Sequence, residues 1–374
     1  MKKEGGTRPP HGPPNDWFKQ EFKLLLPQDL VFANEEMQGA YDLLRHRPFH
    51  TNRTGNIIND WKGFGPKDGS LTTQKYGDMT FKIGVGGLHS QETGVARSNV
   101  YSYDVVSYYP RIIINMGFEP DRFNGDFKGI YAQLYEQRVA AKKAGDKAKA
   151  EALKIVINGV FGKFGSAWSC VYDPQLMLSV TLSGQTLLLH LIDKCYQEGI
   201  EVISANTDGV VMAQDAGEVV SEWEKEHGLE TELVRYDGYW GRDVNNYCAL
   251  DSDGGWKGKG IFSEPGVTKT PHADVSALAA KSYFTTGMPV GEYIEACDDI
   301  RSFILSRNAK GGAQWRGQKL GRMARWIWST EGEPITYVSS CNKVADSNGA
   351  YPLITLPNTP NTCLLYTSPS PRDS

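Results

Sequence analysis

The chain has no C-x-x-C pair. Its six cysteines (Cys170, Cys195, Cys248, Cys297, Cys341 and Cys363) are scattered singly, which argues against a zinc site or a disulfide frame. It also lacks an uninterrupted apolar run of about 18 residues, and its opening MKKEGGTRPPHGPP has no apolar stretch of the kind a secretory signal needs. Neither a membrane span nor a secretory route is expected, so the thiols are expected to be reduced and the protein cytoplasmic. A general excess of positive charge is missing too. Lys and Arg number 40 against 44 Asp and Glu, a net −4, so a nucleic-acid partner must be argued from local charge.

What is present is enough chain, 374 residues, for two or three lobes around real cores. One locality is strongly basic. Between Arg301 and Arg325 lie seven cations (Arg301, Arg307, Lys310, Arg316, Lys319, Arg322, Arg325) and no carboxylate, with Trp315, Trp326 and Trp328 interleaved or adjacent. Solvated faces normally mix in acids, so this run points to phosphate binding. The ends differ from the rest. Residues 1–27 read as a leader, Gly/Pro-rich at its start and expected to be disordered. Residues 363–374, CLLYTSPSPRDS, resemble a translated sequencing adapter and are set apart from fold reasoning.

Residues 101–110, YSYDVVSYYP, read as a strand of aromatic and β-branched residues closed by proline, with Asp104 inside it. By itself that carboxylate would be taken for an exposed edge residue. Upstream, Gly86-Gly87 allows a tight turn or a close backbone approach, and His89 beside it reads as structural. Downstream, helical stretches over 129–144 and 147–157, broken at Gly145-Asp146, predict an antiparallel helical hairpin. Arg138 and Lys142 share a face of its first helix. Lys154, Asn158, Phe161 and Gly162 fall at +4, +7 and +8 on one face of the second. An apolar helix over 176–196 follows a Tyr-Asp-Pro turn. Then two β-branched arms flank Asn206-Thr207-Asp208-Gly209, a hairpin signal that turn chemistry alone could explain.

Taken in order, three segments resemble the motifs of family B DNA polymerases, especially those of phages. Residues 104–110 (DVVSYYP) resemble D-x-x-S-L-Y-P, residues 154–162 (KIVINGVFG) resemble K-x-x-x-N-S-x-Y-G, and residues 206–209 (NTDG) resemble D-T-D-S. The resemblance covers about residues 80–360. It implies an α+β right hand with an antiparallel-sheet palm, helical-hairpin fingers and a partial thumb. The expected division is a linker region over 28–100, palm over 101–128 and 166–262, fingers over 129–165, and an incomplete thumb over 263–362.

The implied activity is template-directed addition of deoxynucleotides to a primer 3′ end by two-metal phosphoryl transfer, in phage replication, in the host-cell cytoplasm and with no membrane partner. Asp104 and Asp208 would be catalytic and, with the Val105 carbonyl, would hold two Mg2+ ions, for which Mn2+ could substitute. Arg138, Lys142 and Lys154 would hold the deoxynucleoside triphosphate. Asn158 and Phe161 would line the floor under the new base pair, Tyr109 would exclude a 2′-hydroxyl, and Tyr108 would be packing. Gly86, Gly87, Tyr247, Lys257, Lys259, Arg316, Lys319, Arg322 and Arg325 would contact primer-template DNA. Glu232 is either a palm carboxylate near the metals or a surface residue.

The chain departs from the pattern at five positions. Asn206 replaces the first turn aspartate, Phe161 replaces a tyrosine, Gly159 and Gly209 replace serines, and Asn245 replaces the lysine before Tyr247. No D-x-E exonuclease signature stands in the 103 residues before Asp104, so proofreading is expected upstream or on a separate chain. The motifs are 50 and 54 residues apart, Asp104 to Lys154 to Asp208, too close for the large insertions of protein-primed relatives. The alternatives are a non-catalytic nucleic-acid-binding palm remnant, a truncated inactive fragment, or a metal-dependent nucleotide-sugar transferase.

Overall fold

The computed structural model describes residues 13–14, 16–58, 79–263 and 273–353, with the backbone alone of residues 72–76. The start of the expected leader and the adapter-like tail at 363–374 lie outside the described residues. The chain divides into two compact units, residues 1–245 with 249–255, and residues 246–248 with 256–374.

The first unit is built on a sheet that runs Thr231–Asp243, Val95–Val105, Gly209–Met212, Val202–Asn206, His89–Ser90, Met79–Ile83, Thr72–Tyr76, antiparallel throughout. Its central strand, Val95–Val105, buries Val100, Tyr103 and Val105, the β-branched and aromatic residues that suit a pleated, covered surface. The strand stops at Val105, short of the expected Pro110. Ser107 takes a left-handed backbone (φ 52°, ψ 47°), and a helix, Tyr108–Asn115, begins immediately after it. Pro110 sits in that helix's first turn, where its missing N–H leaves no hydrogen bond unmade. The hairpin expected around residues 206–209 is present, with Thr207 left-handed at its turn (φ 55°).

Behind the sheet lies the helix Pro174–Gln197. Asp173 caps it by accepting from the Leu176 N–H at 3.0 Å, and Pro174 stands at its first position. By length and composition it could cross a membrane, but 89% of its apolar window is buried inside the protein, and it is a core helix. Its few polar residues each tie down a different segment. Ser179 Oγ accepts from the Leu25 N–H (3.0 Å), and Gln185 is bonded both ways to the Gly84 backbone (3.0 and 2.7 Å). The Asp193 carboxylate accepts from the N–H groups of Ala33 (2.7 Å) and Asn34 (3.3 Å).

These anchors correct the expectation of disorder through residue 27. Phe18, Phe22, Leu24 and Leu26 are buried in the core, and Glu21–Phe22 pairs with Phe49–His50. The helical hairpin is also present and longer than expected, Asp126–Lys143 and Lys147–Phe164. Gly145 (φ 74°) provides its turn, and Asp146 caps the second helix through the Lys149 N–H at 3.0 Å. Tyr131 Oη donates to the Ile157 carbonyl at 3.1 Å, and Phe127 packs 5.9 Å from Phe164, which holds the two helices together.

The second unit contains the helices Asp274–Thr286 and Val290–Ala296 and a four-stranded antiparallel sheet in the order Thr336–Tyr337, Leu305–Trp315, Gln318–Trp328, Ala350–Pro352. Arg316-Gly317 closes its long hairpin with both residues at positive φ (48° and 79°), the primed turn that matches strand twist. The period of two then separates the basic run. Trp315 and Trp326 point into this unit's core with Leu305, Ala309 and Ala324, whereas Lys319 and Arg322 are exposed. The five described cysteines are free thiols.

Asp193 joins the N-terminal segment to the core helix by charge-assisted bonds. Asp193→Ala strands two backbone N–H groups and should lower the unfolding free energy by about 2–3 kcal/mol, read by urea denaturation, with earlier proteolysis before residue 58.

Candidate active site

Backbone pairing sets the positions of the two motif aspartates. In the register of the central strand, Asp104 lies opposite Gly209 on one side and opposite Glu232 on the other. The Val105 N–H donates to the Asp208 carbonyl at 2.7 Å, so the turn that carries Asp208 is fastened to the end of the strand that carries Asp104. Gly209 has a specific steric role. A Cβ at that position would collide with Asp104 Oδ1, so the carboxylate lies in the space a side chain would fill. The glycine at this position is thus an accommodation to Asp104.

Beside this turn is a cavity of about 380 Å³, lined by Ser107, Tyr108, Tyr109, Pro110, Arg138, Lys154, Asn158, Phe161, Thr207 and Asp208. The helical spacing of Lys154, Asn158 and Phe161 is therefore expressed as one wall. Gly162, the next residue on that face, is not part of it. Arg138 enters from the other helix of the hairpin and donates from Nη1 to Ser107 Oγ. Lys154 leans on Glu151 at 3.6 Å. Lys142, expected with these cations, does not line the cavity. It pairs with Glu232 Oε1 at 2.9 Å, an exposed ion pair on the strand next to Asp104.

The aromatic groups form a graded stack. Tyr109 packs on Phe161 with ring centroids 4.5 Å apart, and Tyr108 lies behind Tyr109 at 6.0 Å, nearly parallel. Tyr108 is buried and donates to the Gly184 carbonyl at 2.6 Å. The two tyrosines begin a helix and are not successive strand positions on opposite faces. Both line the cavity, and what distinguishes them is burial, Tyr109 half-buried and Tyr108 buried in the core. Burial, reinforced by the charge of Asp208, pushes the Tyr109 phenol up to about 12 and Tyr108 well above its ordinary range, so both stay protonated.

Three contributors escaped sequence reasoning. A Cβ on Gly184 would meet Tyr109 Cε1 at 3.1 Å and Tyr108 Cε1 at 3.4 Å, so the core helix lets both rings approach closely. Gln185, beside it, also donates to the Gly86 carbonyl and so holds the Gly86-Gly87 segment. At Gly87 a Cβ would strike the Thr207 side chain, and the Thr207 N–H donates to the Leu88 carbonyl at 2.7 Å, which is the close backbone approach expected there. Only the D-x-x-S pattern hinted at Ser107, and nothing local marked Gly184 or Gln185. Asn206 uses its amide as a donor, to the Val244 carbonyl at 3.0 Å, which an aspartate could not do.

The oxygen-only donors that the motifs nominate, two carboxylates and a backbone carbonyl, suit a hard divalent cation. Of the residues nominated for nucleic acid, Gly86 and Gly87 belong to the first unit. In the second unit, Lys259 Nζ lies 5.9 Å from the Tyr247 ring centroid and Lys257 is exposed. Arg316 stacks on Trp315 (4.4 Å) and pairs with Glu333 (2.8 Å), and Arg325 is half-buried.

The chain is similar to family B DNA polymerases. It is 30% identical over 79 residues to DNA polymerase II of Escherichia coli, which is 21% of this chain and 10% of that protein. It is 22% identical over 206 residues to DNA polymerase 1 of Aeropyrum pernix, 48% of this chain and 20% of that one. A family B DNA polymerase structure from Pyrobaculum calidifontis aligns with a TM-score of 0.45 at 17% identity, over 84% of this chain and 47% of that one. The chain thus spans less than half the length of each. No family model matches. Helices with antiparallel sheets make up the mixed fold expected from the motifs.

Because Gly209 and Asp104 share one space, Gly209→Ala should turn the carboxylate off its rotamer at about 1 kcal/mol, and Asp104→Ala should remove that penalty. A double-mutant cycle on unfolding free energy should show the coupling. Simple additivity would mean that the contact carries no strain.

Proposed function

We propose that the chain is the polymerase region of a phage-type DNA polymerase, adding deoxynucleotides to a primer 3′ end. The observation that carries this reading is the single cavity where Arg138, Lys154, Asn158, Phe161 and Tyr109 meet Asp208, with Asp104 fastened beside it. Similarity to DNA polymerases supports it at the level of the reaction class.

In this reading Arg138 and Lys154 bind the triphosphate by charge-assisted contacts, which position it and offset charge as the bond to the leaving pyrophosphate breaks. Lys142 is the outlying member of that group, held by Glu232 until nucleotide competes for it. Asn158 and Phe161 support the new base pair. Asp104, Asp208 and the Val105 carbonyl would hold two magnesium ions, or manganese in their place; bound there, the ions supply Lewis-acid activation of the primer hydroxyl and charge neutralisation at the leaving group. Tyr247, Lys257, Lys259, Lys319, Arg322, Arg316 and Arg325 would follow the duplex backbone in the second unit, and Gly86-Gly87 would approach the template from the first. The site of action would be the host-cell cytoplasm.

Primer extension with magnesium tests the reading. Asp104→Asn and Asp208→Asn should each lower extension by about 10²–10³-fold or more, the scale seen when a preorganised transition-state contact is removed, while duplex binding persists. Near-normal extension in either variant would sink the assignment. A wild-type chain that binds duplex DNA but never extends it would favour the binding remnant.

Sugar choice is the second test. Tyr109 is held between Phe161 and Gly184, so its ring has little room to yield to a 2′-hydroxyl and discrimination arises by overlap. Tyr109→Val should raise ribonucleotide incorporation relative to deoxynucleotide incorporation. Tyr108→Phe, which only removes the hydroxyl bonded to Gly184, should leave the ratio unchanged. The gate assignment fails if the Tyr109→Val ratio stays at the wild-type value.

A further inference from the structure

A second constellation lies in the first unit, outside the cavity. His190 on the core helix faces the end of the helix Gly217–His227, where Glu226 and His227 are adjacent. His190 Nδ1 and His227 Nε2 are 3.1 Å apart, and His227 Nε2 is 3.7 Å from Glu226 Oε1. The three ligand atoms all lie within 4.8 Å of one another, and among the described residues no other group of three or more histidine, cysteine or carboxylate ligands is so placed. We propose that His190, His227 and Glu226 form a binding site for a divalent transition ion, zinc by preference, that staples the core helix to the helix Gly217–His227.

The geometry suits that ion. Two nitrogens at about 2.0–2.1 Å from a tetrahedral zinc stand about 3.3–3.4 Å apart, a few tenths of an ångström beyond the 3.1 Å seen here, so a turn of the rings that aims both nitrogens at one ion would open the pair only slightly. Glu226 can ligate through Oε1 while Oε2 keeps its contact with Lys194 Nζ at 3.2 Å. The His190 ring also hydrogen-bonds the Val31 backbone, a bond left to Nε2 because Nδ1 faces His227. A histidine ligand with its second nitrogen on a backbone carbonyl is oriented and has its tautomer fixed, the usual support of a metal-bound imidazole.

Burial lowers the basicity of both rings, His227 to about 4, so both are neutral near pH 7. His190 is packed edge-on to Phe32 (5.6 Å) and His227 to Trp223 (5.6 Å), so the inner side of the site is apolar and closed. Glu226 is 40% exposed in its side chain and opens the outer side to water, which would complete four-coordination. No cysteine is needed. The competing arrangement is a plain hydrogen bond between the two imidazoles.

The test separates these. Chain stripped with a chelator, carrying Asp104→Asn and Asp208→Asn to silence the other carboxylates, is titrated with zinc by calorimetry and with cobalt(II) by visible absorption. One saturable equivalent is expected, with a tetrahedral-type cobalt spectrum and a rise in Tm. His227→Gln can still donate to His190 Nδ1, so it should fold with the Tm of the metal-free parent yet bind zinc at least about tenfold more weakly, and Glu226→Gln should also weaken binding. Absence of saturable binding in the parent, or equal affinity in His227→Gln, would overturn the site and leave the hydrogen bond as the whole of the interaction.

Discussion

Everything at the cavity depends on one backbone constraint, the seating of the strand Val95–Val105 between Gly209–Met212 and Thr231–Asp243. A strand paired on both sides cannot slip by one residue without reversing every side chain, and with Tyr103 and Val105 in the core such a slip would expose them. The register that protects the core therefore also fixes Asp104 opposite Gly209 and Glu232. The bond from the Val105 N–H to the Asp208 carbonyl carries the constraint into the turn. Two carboxylates distant in sequence are thus positioned by peptide groups.

The core helix extends the same logic to the rest of the first unit. Its apolar surface supplies burial, which has no direction, while Ser179, Gln185 and Asp193 supply direction by bonding to particular backbone groups. A buried amide or carboxylate is costly when unpaired, so each segment that docks on this helix is selected for offering the right donor or acceptor. Gly184 adds a steric counterpart, a gap that Tyr109, Tyr108 and Ile112 fill. The aromatic wall of the cavity is thus set by a helix that contributes nothing to its lining.

Legibility in the sequence followed the range of the interaction. Lys154, Asn158 and Phe161 could be placed together because a helix repeats every 3.6 residues, and the spacing is local. The hairpin at Asn206–Gly209 was legible from turn chemistry, and the pair of aspartates from motif order. Gln185 and Gly184 were invisible because their partners lie far off in sequence and no periodicity links them. Lys142 shares a face with Arg138 one turn further along, and there it pairs with Glu232 rather than lining the cavity, a long-range contact that no local spacing marks. The strand end was misjudged because Pro110 looked like a terminator, whereas the true break is the left-handed Ser107 and proline is welcome in the first helical turn. In the basic run the charges were countable, but only the strand period shows that Trp315 and Trp326 face inward.

Ser107 and Thr207 both adopt left-handed backbones, and both line the cavity. For a residue with a Cβ that conformation costs about 1–2 kcal/mol, and for β-branched Thr207 it is unusual. Each is held where strain can be offset. Ser107 accepts from Arg138, and Thr207 donates its N–H to Leu88 and its hydroxyl to Asn206 Oδ1 at 3.1 Å. Relaxing either residue would continue a regular element and swing the next side chain away, Tyr108 and Tyr109 in one case and Asp208 in the other. Strain at both turns, offset by the burial and pairing around them, is therefore the physical condition for an aromatic wall and a carboxylate to face the same space.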